Sequence, residues 1–167
     1  MRYALLLAAA VVLAACTTTP QTRDEFRTLA AGHPKFYLTG SYTANRRLED
    51  VATTLQRKWE ECYSVQRTTT RTQGGMTTSR YRDTFHPRIQ KVSNSLIQMT
   101  LQQTTEGMIM LNKVPDGGEY IVVLDLERVS GNKTKLTWYS SQYAGWPQRW
   151  ERNKQWSDGK DLACDAE

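Results

Sequence analysis

The chain has 167 residues, with 22 basic and 17 acidic side chains and a formal net charge of +5. The basic excess is mild and scattered, so it favours solubility and an acidic surface or partner over nucleic-acid binding. The length suits one domain built around one hydrophobic core.

Arg2 supplies a short positive start, and residues 4–13 form an apolar run of roughly ten residues, within the 7–15 of a secretory signal segment. A membrane-spanning helix needs about 20 apolar residues, and Thr17-Thr18-Thr19-Pro20 follows too soon for that. The run closes on Leu13-Ala14-Ala15-Cys16, which resembles a bacterial lipobox. The resemblance implies removal of residues 1–15, a thioether-linked diacylglycerol on Cys16 and a palmitate-type chain on the new amino terminus. Several chains hold a protein at a membrane far longer than one. Thr17 replaces the aspartate that commonly marks inner-membrane retention. The resemblance therefore implies a lipid anchor in the outer membrane with the domain facing the periplasm. Surface display stays open, and so does an ordinary signal peptide with an incidental cysteine.

With Cys16 assigned to lipid, Cys62 and Cys164 remain in a compartment where disulfides persist. An even pair without CxxC spacing points to one structural bridge; two unpaired buried thiols are the alternative. Residues 16–34 read as a lipidated terminus and tether, and residues 35–167 as one globular domain. Within the tether, Thr22-Arg23-Asp24-Glu25 fits a capping box for a short helix over residues 23–31, stopped by Gly32. Such a helix is marginal alone and needs docking through Phe26 and Leu29.

Residues 35–42, bounded by Pro34 and Gly40, read as a first strand. Leu48, Val51, Ala52, Leu55, Trp59 and Cys62 then recur at three- and four-residue steps and define the main helix. Residues 63–72 and 76–85 form a Thr-rich hairpin around Gly74-Gly75, with Arg67, Arg71, Arg80 and Arg82 facing water. His86-Pro87 is expected to interrupt it. Residues 95–103 and 107–113 form a second pair, and Pro115-Asp116-Gly117-Gly118 turns into a strand over 119–128. In that strand Tyr120 to Leu124 is apolar on both faces, the pattern of a central strand covered from both sides or lining a cavity. A last strand spans 134–141, and a C-terminal helix runs from about Pro147 to Trp156. The expected fold is α+β: a curved antiparallel sheet of six or seven strands packed against a main helix and a C-terminal helix. Its topology resembles helix-grip or TBP-like folds over about residues 35–164.

His33 and His86 each sit beside proline, and neither belongs to a catalytic or metal-binding motif. Among the acids Asp116, Glu119, Asp125 and Glu127, the last two share a face, where outward surface charge is the plain explanation. Trp138, Trp146, Trp150 and Trp156 are interleaved with Arg149, Arg152 and Lys154. Packing of the last helix accounts for Trp146 and Trp150. Trp156 is expected to be exposed and, with Arg149 and Arg152, forms the candidate partner-binding surface. Met99, Met108 and Met110 read as core filling or a soft cavity lining. No cofactor, metal or nucleic acid is implied. The function expected is that of a non-catalytic lipoprotein binding an envelope protein of the assembly, secretion-accessory or immunity type. A carrier of a small apolar ligand is the alternative, and an enzyme comes third.

Overall fold

The structure is a computed structural model that describes residues 19–73, 76–107, 113–142 and 145–164. The lipobox-like run with Cys16, the Gly74-Gly75 turn, and most of the strand expected over 107–113 with Met108 and Met110 lie outside the described residues. The element order is α1 (Arg23–Gly32), β1 (Tyr37–Ala44), α2 (Leu48–Tyr63), β2 (Gln66–Gln73), β3 (Met76–Lys91), β4 (Leu96–Glu106), β5 (Glu119–Ser130), β6 (Lys133–Ser141) and α3 (Trp146–Ser157). All six strands join one antiparallel sheet in the order β1-β6-β5-β4-β3-β2. The sheet curls into a half-barrel, so the fold is α+β as the sequence implies.

The main helix forms where its apolar period places it. Leu48, Val51, Ala52, Leu55, Trp59 and Tyr63 lie along one face of α2 and are all buried, while Glu49 and Asp50 in the first turn complement the helix dipole. This face packs on Leu101, Leu124, Leu126, Leu136 and Trp138 inside the curve of the sheet. Burying each such side chain contributes about 1.5–3 kcal/mol. On β5 the run Val122 to Leu126 is buried throughout. Alternation sends Val122, Leu124 and Leu126 towards α2, and Val123 and Asp125 to the opposite face.

The strand β3 corrects one expectation: it continues through His86-Pro87 to Lys91. The Phe85 amide donates to the Val65 carbonyl at 3.0 Å. Pro87, two residues on, therefore turns its nitrogen to the same side, beyond the point where β2 begins pairing at Gln66 with Thr84. The missing N–H removes no ladder bond there. Gly40 likewise does not end β1. A Cβ on it would lie 2.7 Å from Trp150 Nε1, so its lack of a side chain lets α3 lie against the strand.

The C-terminal helix closes the inner layer. Trp150 stacks on Trp138 with centroids 5.5 Å apart, and Trp59 meets Trp138 edge-on at 6.2 Å. Among these rings sits Asn153, which is fully buried. Its Oδ1 accepts from Trp59 Nε1 at 2.6 Å, and its Nδ2 donates to Tyr63 Oη at 3.0 Å and to the Arg149 carbonyl at 2.7 Å. One amide thus satisfies polar groups from both inner helices. Beyond Gly159 the tail returns to α2, where Lys58 Nζ lies 2.7 Å from Asp161 Oδ1. Cys164 is bonded to Cys62 across a sequence separation of 102, as the cysteine arithmetic implies.

Replacing both Cys62 and Cys164 by alanine is expected to lower stability by up to about 4–5 kcal/mol, read from urea unfolding. Thiol labelling of the denatured, unreduced wild type should find neither cysteine free. Asn153→Ala leaves the Trp59 indole N–H buried without its acceptor and should cost about 1–3 kcal/mol in the same measurement.

Candidate functional site

The residues expected to form a partner surface divide. Trp156 is fully buried, contrary to the sequence expectation. Its ring lies 5.9 Å from that of Tyr63, and its Nε1 donates to the Leu162 carbonyl at 3.0 Å. The cause is the tail, which the bridge and Asp161 fold back over α3. Arg149 and Arg152 lie three apart on α3, so they share a side of the helix. The Arg149 guanidinium lies 4.7 Å from the Trp146 ring centroid and 5.1 Å from that of Tyr63. Such stacking orients its charge. Arg152 Nη1 donates to the Ala163 carbonyl at 2.8 Å. Both arginines are half-exposed, so this surface offers two pre-oriented cations and no aromatic anchor from Trp156.

The histidines stay apart from this surface. His33 caps the C-terminal end of α1 and is exposed, whereas His86 lies on β3 with Nε2 3.1 Å from Thr104 Oγ1. Inside the curve of the sheet the described core residues pack side chain against side chain. The opening that reaches Trp59 and Met99 measures about 20 Å³, far below the ~300 Å³ where ligand sites begin.

The outer face of the sheet carries α1. Thr22 caps it by accepting from the Glu25 amide at 3.2 Å, and Glu25 reaches back to the Gln21 amide at 2.7 Å. The reciprocal bond of the expected capping box is thus shifted by one residue. Phe26 meets Tyr37 edge-on at 5.8 Å and Tyr120 at 6.2 Å, and Ala30 is fully buried. Leu29 is only half-buried, so Ala30 takes its expected place in docking.

Under this helix lies Asp125, which the sequence places at the surface and the structure buries. It is ion-paired to Arg27, which also pairs with Asp24. Burial pushes the Asp125 carboxyl above its usual range; Arg27 and a hydrogen bond from Gln98 oppose the shift, and Glu127 adds to it. Burial, and then the Asp125 charge, also raises the neighbouring Tyr139.

Beside α1 is a groove of about 340 Å³, lined among others by Arg23, Arg88, Gln98, Thr100, Gln102 and Tyr120. It arises from strand alternation: Met99 and Leu101 of β4 enter the core, so Gln98 and Thr100 point outward. Arg88 is paired in register with Thr100, and Gln102 with Tyr120. Gln102 Nε2 donates to the carbonyls of Asp116 at 3.0 Å and Gly118 at 2.9 Å. Gly117, at φ +87°, brings this loop so close that a Cβ there would lie 2.5 Å from Arg88 Nη2 and 3.1 Å from Gln102 Oε1. The sequence reading missed the groove. Its only local signal is the polar alternation Gln98, Thr100, Gln102, which also fits a plain solvent face.

No family model matches the chain, and no curated protein matches it. Two solved structures show a remote likeness. Protein MLL2253 from Mesorhizobium loti is 14% identical with a TM-score of 0.38, over 75% of this chain and 99% of that one. A putative uncharacterized protein from Rhizobium leguminosarum is 12% identical with a TM-score of 0.34, over 74% and 95%.

A carboxyl raised by burial contributes stability below its unfolded pKa and loses it as pH rises through the higher folded value. Asp125→Asn removes that titration while Glu127, Tyr139 and Arg27 remain. The stability of the wild type minus that of Asp125→Asn should therefore fall as pH rises from about 3 to 7, measured by urea unfolding. A difference that grows with pH would contradict the raised carboxyl.

Proposed function

We propose that this chain is a lipid-anchored envelope protein whose folded domain binds another envelope component without catalysing its conversion. The observation that carries the reading is the apolar run ending in Leu13-Ala14-Ala15-Cys16. The Cys62–Cys164 bridge supports it, because such bonds persist in oxidising compartments. On this reading Cys16 is lipidated in the outer membrane, and the domain faces the periplasm.

Because α1 is docked on the sheet from Arg23 onward, the tether shortens from the expected residues 16–34 to residues 16–22. That segment can span at most about 25 Å, so the outer face of the sheet is held near the lipid surface. Arg149 and Arg152, on the inner-layer helix, are the groups assigned to a protein partner. Arginines already held in place, Arg149 by ring stacking and Arg152 by the Ala163 carbonyl, lose little side-chain freedom on binding and suit acidic partner surfaces.

Cys16→Ser should abolish metabolic palmitate labelling and move the protein out of the membrane fraction. Unchanged fractionation would refute the anchor. Crosslinking of the full-length protein in intact cells should give a defined adduct that Arg149→Ala with Arg152→Ala reduces at least tenfold, by roughly 1.4 kcal/mol or more. An adduct indifferent to both arginines would remove the partner surface assigned here.

A further inference from the structure

We infer that the groove on the outer face, between α1, β3, β4 and the loop before β5, is a binding site for a carboxylate carried on a hydroxyl-rich frame, as in an acidic sugar unit. It lies on the other face of the sheet from Arg149 and Arg152, and it does not depend on the anchor.

Charge supplies the first half of the inference. Arg23 enters the groove from the first turn of α1 and Arg88 from β3. Among the described residues neither is in an ion pair, whereas Arg27, Arg57, Arg82 and Arg128 each have a carboxylate. Asp125, which lies under the same helix, is itself ion-paired to Arg27. Two arginines therefore line one cavity with no ion-pair partner among the described residues. A planar carboxylate matches the fork of either.

The amides supply the second half. Gln102 spends its Nε2 on the Asp116 and Gly118 carbonyls, which turns its Oε1 towards Gly117 and Arg88. Gln98 lines the same groove and brings a second side-chain amide to it. Gln102 is thus held with its oxygen on the Arg88 side, Gln98 carries a second amide oxygen, and such acceptors ask for O–H donors. A bare anion such as phosphate satisfies the arginines only, and a neutral sugar satisfies the amides only. A hydroxylated acid satisfies both. Thr100 adds a hydroxyl and Tyr120 a ring against which a sugar's C–H face can lie. A volume of about 340 Å³ accommodates one pyranose-sized acid at the lower end of the usual ~300–1,000 Å³ range. Free acid and a unit of an acidic glycan share this chemistry.

The test is calorimetric titration of the full-length protein, purified in detergent, with D-glucuronate, D-glucose and inorganic phosphate. Glucuronate should bind at least about tenfold more tightly than either of the others, and its affinity should fall with added salt. Arg23→Ala and Arg88→Ala should each weaken it at least about tenfold, and Gln98→Leu severalfold. Arg47→Ala, an exposed arginine outside the groove, should leave it unchanged. Urea midpoints of the variants, with the Cys62–Cys164 bridge intact, separate loss of binding from loss of fold. Comparing galacturonate with trigalacturonate distinguishes the sources: tighter trimer binding identifies a glycan segment, and equal binding a single acid, with either supporting the site. Phosphate or glucose binding as tightly as glucuronate overturns the inference. So does the absence of binding at tens of millimolar, or equal weakening by Arg47→Ala.

Discussion

The double-sided burial of β5 is the constraint from which the rest of the architecture follows. Five consecutive residues, Val122 to Leu126, are out of water, and alternation makes it impossible for one layer to cover them. The sheet therefore needs a cover on each side. Inside its curve α2 and α3 supply one with a tryptophan-rich core. Outside, among the described residues, α1 supplies it, and ten residues of helix are marginal without tertiary contacts. Its docking through Phe26, Ala30 and Arg27 is what makes both the helix and the burial of Val123 possible.

The inner cover is closed by polar as much as apolar means. Trp59, Trp138 and Trp156 are fully buried, and an indole N–H in such a place must find an acceptor. Asn153 serves Trp59, Ser140 serves Trp138 at 2.9 Å, and the Leu162 carbonyl serves Trp156. The last of these acceptors belongs to the tail. The segment carrying Cys164 thus satisfies a core donor as well as closing the covalent loop, and it seals a helix that the sequence alone leaves open on that side.

Legibility in the sequence followed how local each determinant is. The stripe from Leu48 to Cys62 is a single-helix property, so its period revealed α2, and the even cysteine pair revealed the bridge. The fate of Trp156 depends on a tail that returns from beyond Gly159, which no helical period encodes. The passage of β3 through Pro87 depends on where β2 starts relative to its partner, a matter of register. Asp125 reads as surface charge because its covering helix lies about a hundred residues earlier in the chain. The groove was least legible of all, since Gln98, Thr100 and Gln102 look like a solvated strand face until topology brings Arg23 of α1 and Arg88 of β3 to the same groove.

That same topology gives the outer face an electrostatic division of labour. A groove that holds an anion cannot tolerate an uncompensated carboxylate beside it, because in a partly buried site the repulsion is only weakly screened. Asp125 is such a carboxylate, buried under the same helix. Arg27 neutralises it from α1, four residues along the helix from Arg23, which faces the cavity. One short helix thus cancels the unwanted charge and supplies a wanted one. Undocking α1 would remove a groove wall and expose the Asp125 charge together, so the cavity has its anion-binding character only while the helix is seated.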